Sequence, residues 1–126
     1  MKGILIIGHG SKLDHNKNVM LLQAERLRRK GHENVHIGFN EISAPSIEEA
    51  LAGMLDDGVT EVYAMPLFIA SGVHITEDIR GKLNLPEGED DAEVNIGGRK
   101  VRMKYGRAVG DDPRIADILD EQIAAM

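Results

Sequence analysis

The feature that most constrains the fold is the alternation of strand-like and helix-like segments along the 126 residues. The first segment, residues 2–7, is a nearly unbroken aliphatic run, which is typical of a parallel strand buried on both faces. It stops at the turn formed by residues 8–11. Parallel strands need a crossover between them, and that crossover is usually a helix. The alternation therefore predicts an α/β fold.

Apolar periodicity, helix caps and glycine or proline breaks divide the rest of the chain into further elements. Ser46 and Glu49 form a capping-box pattern, which begins a helix. The last helix opens at Asp112-Pro113, and its apolar stripe is expected to be buried. The predicted helices cover residues 13–30, 46–57, 75–83 and 113 onward, and the predicted strands cover residues 2–7, 34–40, 61–65 and 101–105. The stripe of the last helix consists of Ile115, Ile118, Leu119 and Ile123.

These elements predict one domain over residues 1–126, with three layers in which helices flank a mainly parallel four-stranded sheet. Gly97-Gly98 could also turn residues 93–96 into a hairpin partner for strand 101–105. Residues 86–93 contain five carboxylates without apolar periodicity. We interpret that segment as a solvated, mobile loop with no chemical role.

Composition excludes several classes of function. Without cysteine, the chain cannot form disulfides, thiolate zinc sites or iron–sulfur clusters, or use a cysteine nucleophile. A net charge of −6 and 3% aromatic residues argue against nucleic acid as the partner. The apolar run at residues 4–7 is far too short to span a bilayer and lacks a signal-peptide pattern. We therefore expect a cytoplasmic protein with no membrane or nucleic-acid partner.

Three polar side chains follow successive predicted strands: His9 after the first, Glu41 after the second, and His74 beyond the loop after the third. Ligands of open parallel sheets bind at the carboxyl ends of the strands. Two imidazoles and one carboxylate at that edge suit a divalent cobalt, nickel, iron or zinc ion with open coordination positions. Each residue alone also fits an ordinary role, as a loop histidine, a surface carboxylate or a helix-start histidine. The remaining histidines, His15, His32 and His36, are interpreted as ordinary polar residues.

The turn at residues 8–11 has a second interpretation as an anion site. A glycine-containing turn before a helix can present free backbone N–H groups to an anion. This turn has neither the dinucleotide glycine pattern nor the P-loop spacing, so nucleotide binding is disfavoured. A substrate carboxylate is the better fit, with help from Ser11 and Lys12.

Three blocks of sequence carry a family resemblance: IIGHGS at residues 6–11, FNE at 39–41 followed by PSI at 45–47, and PLFIASGVHITEDI at 66–79. Together they resemble the short form of the class II sirohydrochlorin chelatases, the small CbiX-type enzymes of archaea. The resemblance covers nearly the whole chain, and the third block is the most specific.

The resemblance implies a chelatase-like fold that forms one half of a two-lobed architecture, and insertion of a divalent metal into sirohydrochlorin without a nucleotide. The metal would be cobalt for cobalamin or nickel for the nickel tetrapyrrole of methanogens. It would be consumed as a substrate, with no cofactor bound permanently. The family's two active-site histidines correspond to His9 and His74, and the metal-proximal acid of related enzymes corresponds to Glu41. Some archaeal members carry a histidine-rich loop where this chain has the acidic residues 86–93.

Metal insertion requires the cation to lose water and the pyrrole N–H protons to leave. Imidazoles can both ligate a metal and accept protons near neutral pH, so His9 and His74 are the predicted catalytic residues and, with Glu41, the predicted metal ligands. Asp78, one helical turn after His74, is predicted to orient it. Because an acidic chain cannot steer an anionic macrocycle by net charge, local donors and apolar side chains must bind it. The predicted substrate-binding residues are Gly10, Ser11, Lys12, Leu67, Phe68, Ile69, Ala70, Ser71, Gly72 and Val73.

Two alternatives stay open. The same site could serve a non-catalytic carrier of metal or tetrapyrrole. Phosphoryl transfer through a phosphohistidine at His9 is less favoured, because Gly8 rather than an arginine precedes His9. A homodimer is expected for the chelatase, because one small domain offers a tetrapyrrole only one wall and longer class II chelatases resemble two such units fused.

Overall fold

The computed structural model describes residues 1–126. Its five strands are β1 (Lys2–Gly8), β2 (Val35–Phe39), β3 (Glu61–Pro66), β4 (Asp91–Ile96) and β5 (Arg99–Tyr105). Its four helices are α1 (His15–Arg29), α2 (Ile47–Asp56), α3 (Val73–Lys82) and α4 (Pro113–Ala125). The α/β prediction is confirmed. None of the helices combines the length and apolarity needed to cross a membrane.

The strands form one sheet in the order β2-β1-β3-β5-β4. β1 pairs in parallel with β2 and β3, β3 pairs in parallel with β5, and β4 alone is antiparallel. The predicted count of four strands is thus one too low. The hairpin forms because Gly97 and Gly98 adopt φ values of 56° and 84°, which suit a tight two-residue turn.

Alternate residues of β1 enter two separate cores. Leu5 and Ile7 belong to the larger core, which lies against α2 and α3, whereas Ile6 packs on the opposite face against α1. This double burial explains the unbroken aliphatic run. The predicted capping box of α2 is confirmed, since Glu49 N–H donates to Ser46 Oγ at 3.1 Å and Ser46 N–H donates to Glu49 Oε1 at 3.0 Å.

The acidic segment 86–93 is more ordered than its composition predicts. Arg80 of α3, only 7% exposed, donates to the Asp90 carboxylate and to the carbonyl oxygens of Pro86 and Glu89. The last three residues of the segment already belong to β4. The predicted mobile loop is therefore replaced by a loop that is fixed to α3 through a buried guanidinium.

Helix α4 contradicts the sequence prediction. Its apolar stripe was expected to be buried, but no residue of α4 is buried, and Ile118, Leu119 and Ile123 are 52%, 56% and 67% exposed. The physical reason is that the stripe of α4 is not covered by any other element of its own chain. On the face of the sheet where α1 covers β1 and β2, Met65 of β3 and Arg102 of β5 stay exposed.

Candidate active site

His9 and Glu41 lie side by side at the carboxyl ends of β1 and β2. His9 Nε2 is 3.7 Å from Glu41 Oε1, and both side chains are about half exposed. Their backbones are joined as well, because Glu41 N–H donates to the His9 carbonyl at 3.1 Å and Asn40 N–H donates to the Gly8 carbonyl at 2.9 Å. Two of the three predicted metal ligands therefore meet in a solvent-accessible pair.

Gly10 permits this close approach of the two loops. Its φ is +100°, in the region that favours glycine, and a Cβ added there would lie 1.7 Å from the Glu41 carbonyl oxygen. Only a residue without a side chain fits between His9 and Glu41. Gly10, predicted to bind substrate, thus has a clear structural role next to the site.

The backbone and side chain of Ser11 form hydrogen bonds within the protein. Its N–H donates to Ser43 Oγ at 3.0 Å, and the Ser43 hydroxyl donates to the Ser11 carbonyl at 2.8 Å. Ser11 Oγ accepts from Leu13 N–H at 3.2 Å, and α1 begins only at His15. The Ser11 N–H is therefore not free for an anion, and the role of Ser11 in substrate binding stays a prediction that rests on its hydroxyl. Lys12 is exposed and forms no ion pair, so it stays available to a substrate carboxylate.

The segment after β3 forms an apolar surface next to His9. The rings of Phe68 and His9 meet edge to face, with centroids 6.4 Å apart and an interplanar angle of 76°. Leu67 N–H donates to the Ile7 carbonyl at 2.8 Å, which fixes the segment to the end of β1. Ile69 and Val73 are 67% and 77% exposed. Ile69 and Val73 therefore place two exposed apolar side chains on the segment that contacts His9, where a ligand-binding wall needs them.

His74 lies apart from the pair. It occupies the first turn of α3 and is exposed. The structure contains no group of three His, Asp or Glu side chains arranged to hold a metal ion. Within one chain, the predicted ligand set is therefore divided into the His9–Glu41 pair and a separate His74.

A buried amide connects the helix that carries His74 to the loop that carries Glu41. Asn40, 7% exposed, donates from Nδ2 to Asp78 Oδ2 at 3.0 Å. Lys82 Nζ donates to Asn40 O at 2.6 Å and to Asn40 Oδ1 at 2.8 Å. The predicted contact between Asp78 and His74 is absent, because the Asp78 carboxylate is used by Asn40 and Lys82 instead. Asp78 therefore acts on the site by fixing α3 to residue 40.

Asn40→Ala is expected to lower the free energy of unfolding by about 1–3 kcal/mol, because it removes a buried amide and its hydrogen bonds to the charged groups of Asp78 and Lys82. Combined with Asp78→Ala in a double-mutant cycle, it should show a coupling of about 0.5–3 kcal/mol. Urea denaturation measures both quantities. Asn18→Ala, at an exposed position of α1, is the control and should stay within about 0.5 kcal/mol of the parent. A coupling of zero would contradict a shared network.

A polar cavity of about 570 Å³ opens beside this edge, between the 69–71 segment, the start of α3 and residues 105–111. Ser71 Oγ is buried there without a hydrogen-bond partner. Burial raises the pKa of the Tyr105 phenol in the same wall. Arg107 forms no ion pair, whereas the neighbouring Arg80 is occupied by Asp90. Arg107 is not among the residues predicted from the sequence, because it belongs to no motif. Its position just after the end of β5 is the signal that places it at the same carboxyl edge.

Comparison with known proteins connects this geometry to a family. The CbiX family model matches residues 3–126. A sirohydrochlorin cobaltochelatase from Methanosarcina acetivorans is 46% identical over 123 residues, which cover 96% of this chain and 93% of that protein. A sirohydrochlorin cobaltochelatase from Saccharolobus solfataricus is 31% identical, covering 98% of this chain and 94% of that protein.

Solved structures show the same fold. A CbiX protein from Marinobacter aquaeolei VT8 aligns with a TM-score of 0.72 and 22% identity over 100% of both chains. The sirohydrochlorin chelatase SirB from Bacillus subtilis subspecies spizizenii, solved in complex with cobalt, aligns with a TM-score of 0.73 and 19% identity over 99% of this chain and 50% of SirB. The chain thus corresponds to about half of SirB. From the match over residues 3–126 and the identity to archaeal relatives, this chain belongs to the CbiX family.

Proposed function

We propose that this protein is a sirohydrochlorin metallochelatase, which inserts a divalent metal, cobalt or nickel, into sirohydrochlorin without a nucleotide. The observation that carries the proposal is the His9–Glu41 pair, 3.7 Å apart, beside an exposed apolar surface in a chain 46% identical to a sirohydrochlorin cobaltochelatase. Metal and macrocycle are both substrates, and no resident cofactor is needed. The reaction is expected to take place in the cytoplasm.

The pair can perform the first part of metal insertion. Glu41 attracts the hydrated cation and offsets its charge, while an imidazole nitrogen of His9 replaces a water ligand. As the four nitrogens of the macrocycle bind the metal, its two N–H groups must release their protons to nearby bases, so that two protons leave for each divalent ion inserted. His9, once it has released the metal, and His74 are the bases at this edge that can accept those protons.

The macrocycle combines an apolar ring with anionic carboxylates, and the residues around the His9–Glu41 pair suit both parts. Phe68, Ile69 and Val73 offer apolar surface to the ring. Arg107, Lys12 and the unpartnered Ser71 hydroxyl offer donors to its carboxylates. The overall charge of −6 opposes an anionic substrate, so these local donors must provide its orientation.

Arg107→Ala is expected to raise KM for sirohydrochlorin by roughly tenfold with little change in kcat, because a contact to a peripheral carboxylate stabilises ground and transition states alike. Steady-state kinetics at fixed metal concentration measures both constants. Arg29→Ala removes the same charge from the exposed end of α1 and serves as the control. An unchanged KM for Arg107→Ala would remove Arg107 from the substrate site.

A homodimer supplies the second wall that the macrocycle needs. One chain provides one carboxyl edge of a sheet. At that edge His74 is separate from the His9–Glu41 pair, so the three predicted ligands do not form a group that could hold a metal ion. The chain also covers 50% of SirB, which fits two copies in place of one longer chain. Sedimentation velocity paired with activity across a dilution series tests this assembly. Activity should fall as dimers dissociate, and a monomer with full activity would contradict it.

The reaction itself is tested by anaerobic absorbance spectroscopy of sirohydrochlorin with Co²⁺ or Ni²⁺, with and without the protein. A chelatase raises the initial rate above the spontaneous rate in proportion to protein concentration. With a carrier of metal or tetrapyrrole, the spectral change stops at one equivalent of metallated macrocycle per protein chain. Rates equal to the spontaneous rate with both metals would contradict the proposal.

A further inference from the structure

Helix α3, which carries His74, has little apolar packing that could set its orientation. Of its ten residues only Ile79 and Arg80 are buried, whereas five residues of the equally long α2 are buried. A single buried aliphatic side chain holds a helix to the core but does not fix its rotation, because hydrophobic contacts are non-directional. Directional polar contacts must therefore set the orientation of α3 and of the His74 that it carries.

Lys82, the last residue of α3, makes the polar contacts on the His74 side of the helix. His74, Asp78 and Lys82 are spaced four residues apart and so share one face of α3. The ammonium group of Lys82 has three donors. Three acceptors lie near it, Asn40 O at 2.6 Å, Asn40 Oδ1 at 2.8 Å and Asp78 Oδ2 at 3.5 Å. The side chain is only 28% exposed, so these contacts are largely shielded from water.

The peptide group between Asn40 and Glu41 connects Lys82 to the other side of the site. Its carbonyl oxygen accepts from Lys82 Nζ, and its N–H donates to the His9 carbonyl at 3.1 Å. This planar unit is rigid, and Glu41 follows directly from it. A carbonyl polarised by an ammonium group also makes the N–H of the same peptide a stronger donor. The Lys82 contact therefore strengthens the bond that holds the backbones of His9 and Glu41 together.

The other polar anchor of α3 does not reach this edge. Arg80 donates to the Asp90 carboxylate and to the carbonyl oxygens of Pro86 and Glu89, which all belong to the segment that follows α3. Asp78 does reach Asn40, but it accepts from the side-chain amide. Lys82 is thus the residue of α3 whose side chain bonds to the Asn40–Glu41 peptide.

We infer that Lys82 is a positioning residue for metal insertion, which fixes the spacing between His74 and the His9–Glu41 pair through the Asn40–Glu41 peptide. The inference rests on the proposed chelatase function, and Lys82 itself touches neither the metal nor the macrocycle. Two histidines that accept protons from one macrocycle need a fixed separation. A displacement of about 1 Å at a catalytic group can cost about a hundredfold in rate.

Hydrogen exchange of the Glu41 amide, followed by NMR without metal or macrocycle, tests the positioning directly. Lys82→Met keeps nearly the length of the side chain but removes its donors, so local opening at Glu41 should make exchange at least about tenfold faster. Lys30→Met removes the same cation from the exposed C-terminal end of α1 and should leave the Glu41 rate unchanged.

The pattern of exchange separates positioning from global stability. If Lys82 contributed to global stability alone, Lys82→Met would accelerate only amides that need global unfolding, such as that of the fully buried Leu5 in β1. An unchanged rate at Glu41 would therefore overturn the inference. Because this measurement involves no metal insertion, its failure is distinguishable from failure of the proposed chelatase activity.

Steady-state kinetics gives a second readout. Lys82→Met should raise the apparent KM for Co²⁺ and lower kcat by roughly tenfold each, because both Glu41 and His74 are displaced. A smaller folded fraction would lower the apparent kcat but leave the KM for Co²⁺ unchanged. Lys82→Arg keeps a charged donor for the Asn40 carbonyl oxygen and should recover most of the loss. An unchanged KM for Co²⁺ in Lys82→Met would overturn the inference.

Discussion

Replacement of His9 or His74 by alanine is expected to lower kcat for cobalt insertion by about a hundredfold or more. Positioned general bases typically contribute at least this factor, and in the proposed mechanism the same side chains also bind the metal. His9 is half exposed, so its loss should affect stability little. The initial rate of metallation, followed by absorbance, measures the change, and thermal unfolding shows whether the fold is preserved.

His36→Gln, on β2 and outside the site, is the matched control and should keep the parental rate. Glu41→Gln gives a further test, because it retains the size of the side chain but removes the charge that attracts the cation. It should raise the apparent KM for the metal more than it lowers kcat. If His9→Ala and His74→Ala both kept the parental rate, the assignment of metal and proton transfer to these residues would be wrong.

Gly10→Ala is expected to have the largest effect on the fold around the site. The positive φ alone costs about 1–3 kcal/mol for a residue with a side chain. The added Cβ would also overlap the Glu41 carbonyl oxygen at 1.7 Å, so the His9 and Glu41 loops must move apart. We expect a clear loss of thermal stability together with a loss of metal insertion comparable to that of His9→Ala.

Gly58→Ala separates the two causes. Gly58 has a φ of +96°, nearly that of Gly10, but a Cβ there would meet only Met1 Cε at an ordinary 3.8 Å. It should lower Tm through backbone strain alone and leave the insertion rate per folded molecule unchanged. Differential scanning calorimetry and the metallation assay compare the pair. Equal losses of stability in the two variants would show that contact with Glu41 does not matter.

The sequence predicts much of this architecture because its signals are local. The aliphatic run of β1 and the capping box of α2 define their elements without knowledge of the rest of the chain. The rule that ligands bind at the carboxyl ends of parallel strands then places His9 and Glu41 at one edge, and the structure brings them within 3.7 Å.

The features that the sequence does not predict depend on contacts between distant segments. Asn40 and Lys82 meet across 42 positions, and Ser11 and Ser43 across 32. No local pattern distinguishes Asn40 from a loop residue, and the spacing of Asp78 suggests His74 as its partner more readily than Asn40. The apolar period of α4 is read correctly as a stripe, but periodicity cannot say whether that stripe meets a surface to pack on.

The number of metallated macrocycles formed per chain tests the central claim most directly. Sirohydrochlorin and Co²⁺ are supplied anaerobically in large excess over the protein, and product is followed by absorbance until the reaction ends, with the spontaneous reaction subtracted. A chelatase whose site contains His9, Glu41 and His74 should form many products per chain. A plateau at one product per chain would contradict catalysis and identify the protein as a carrier.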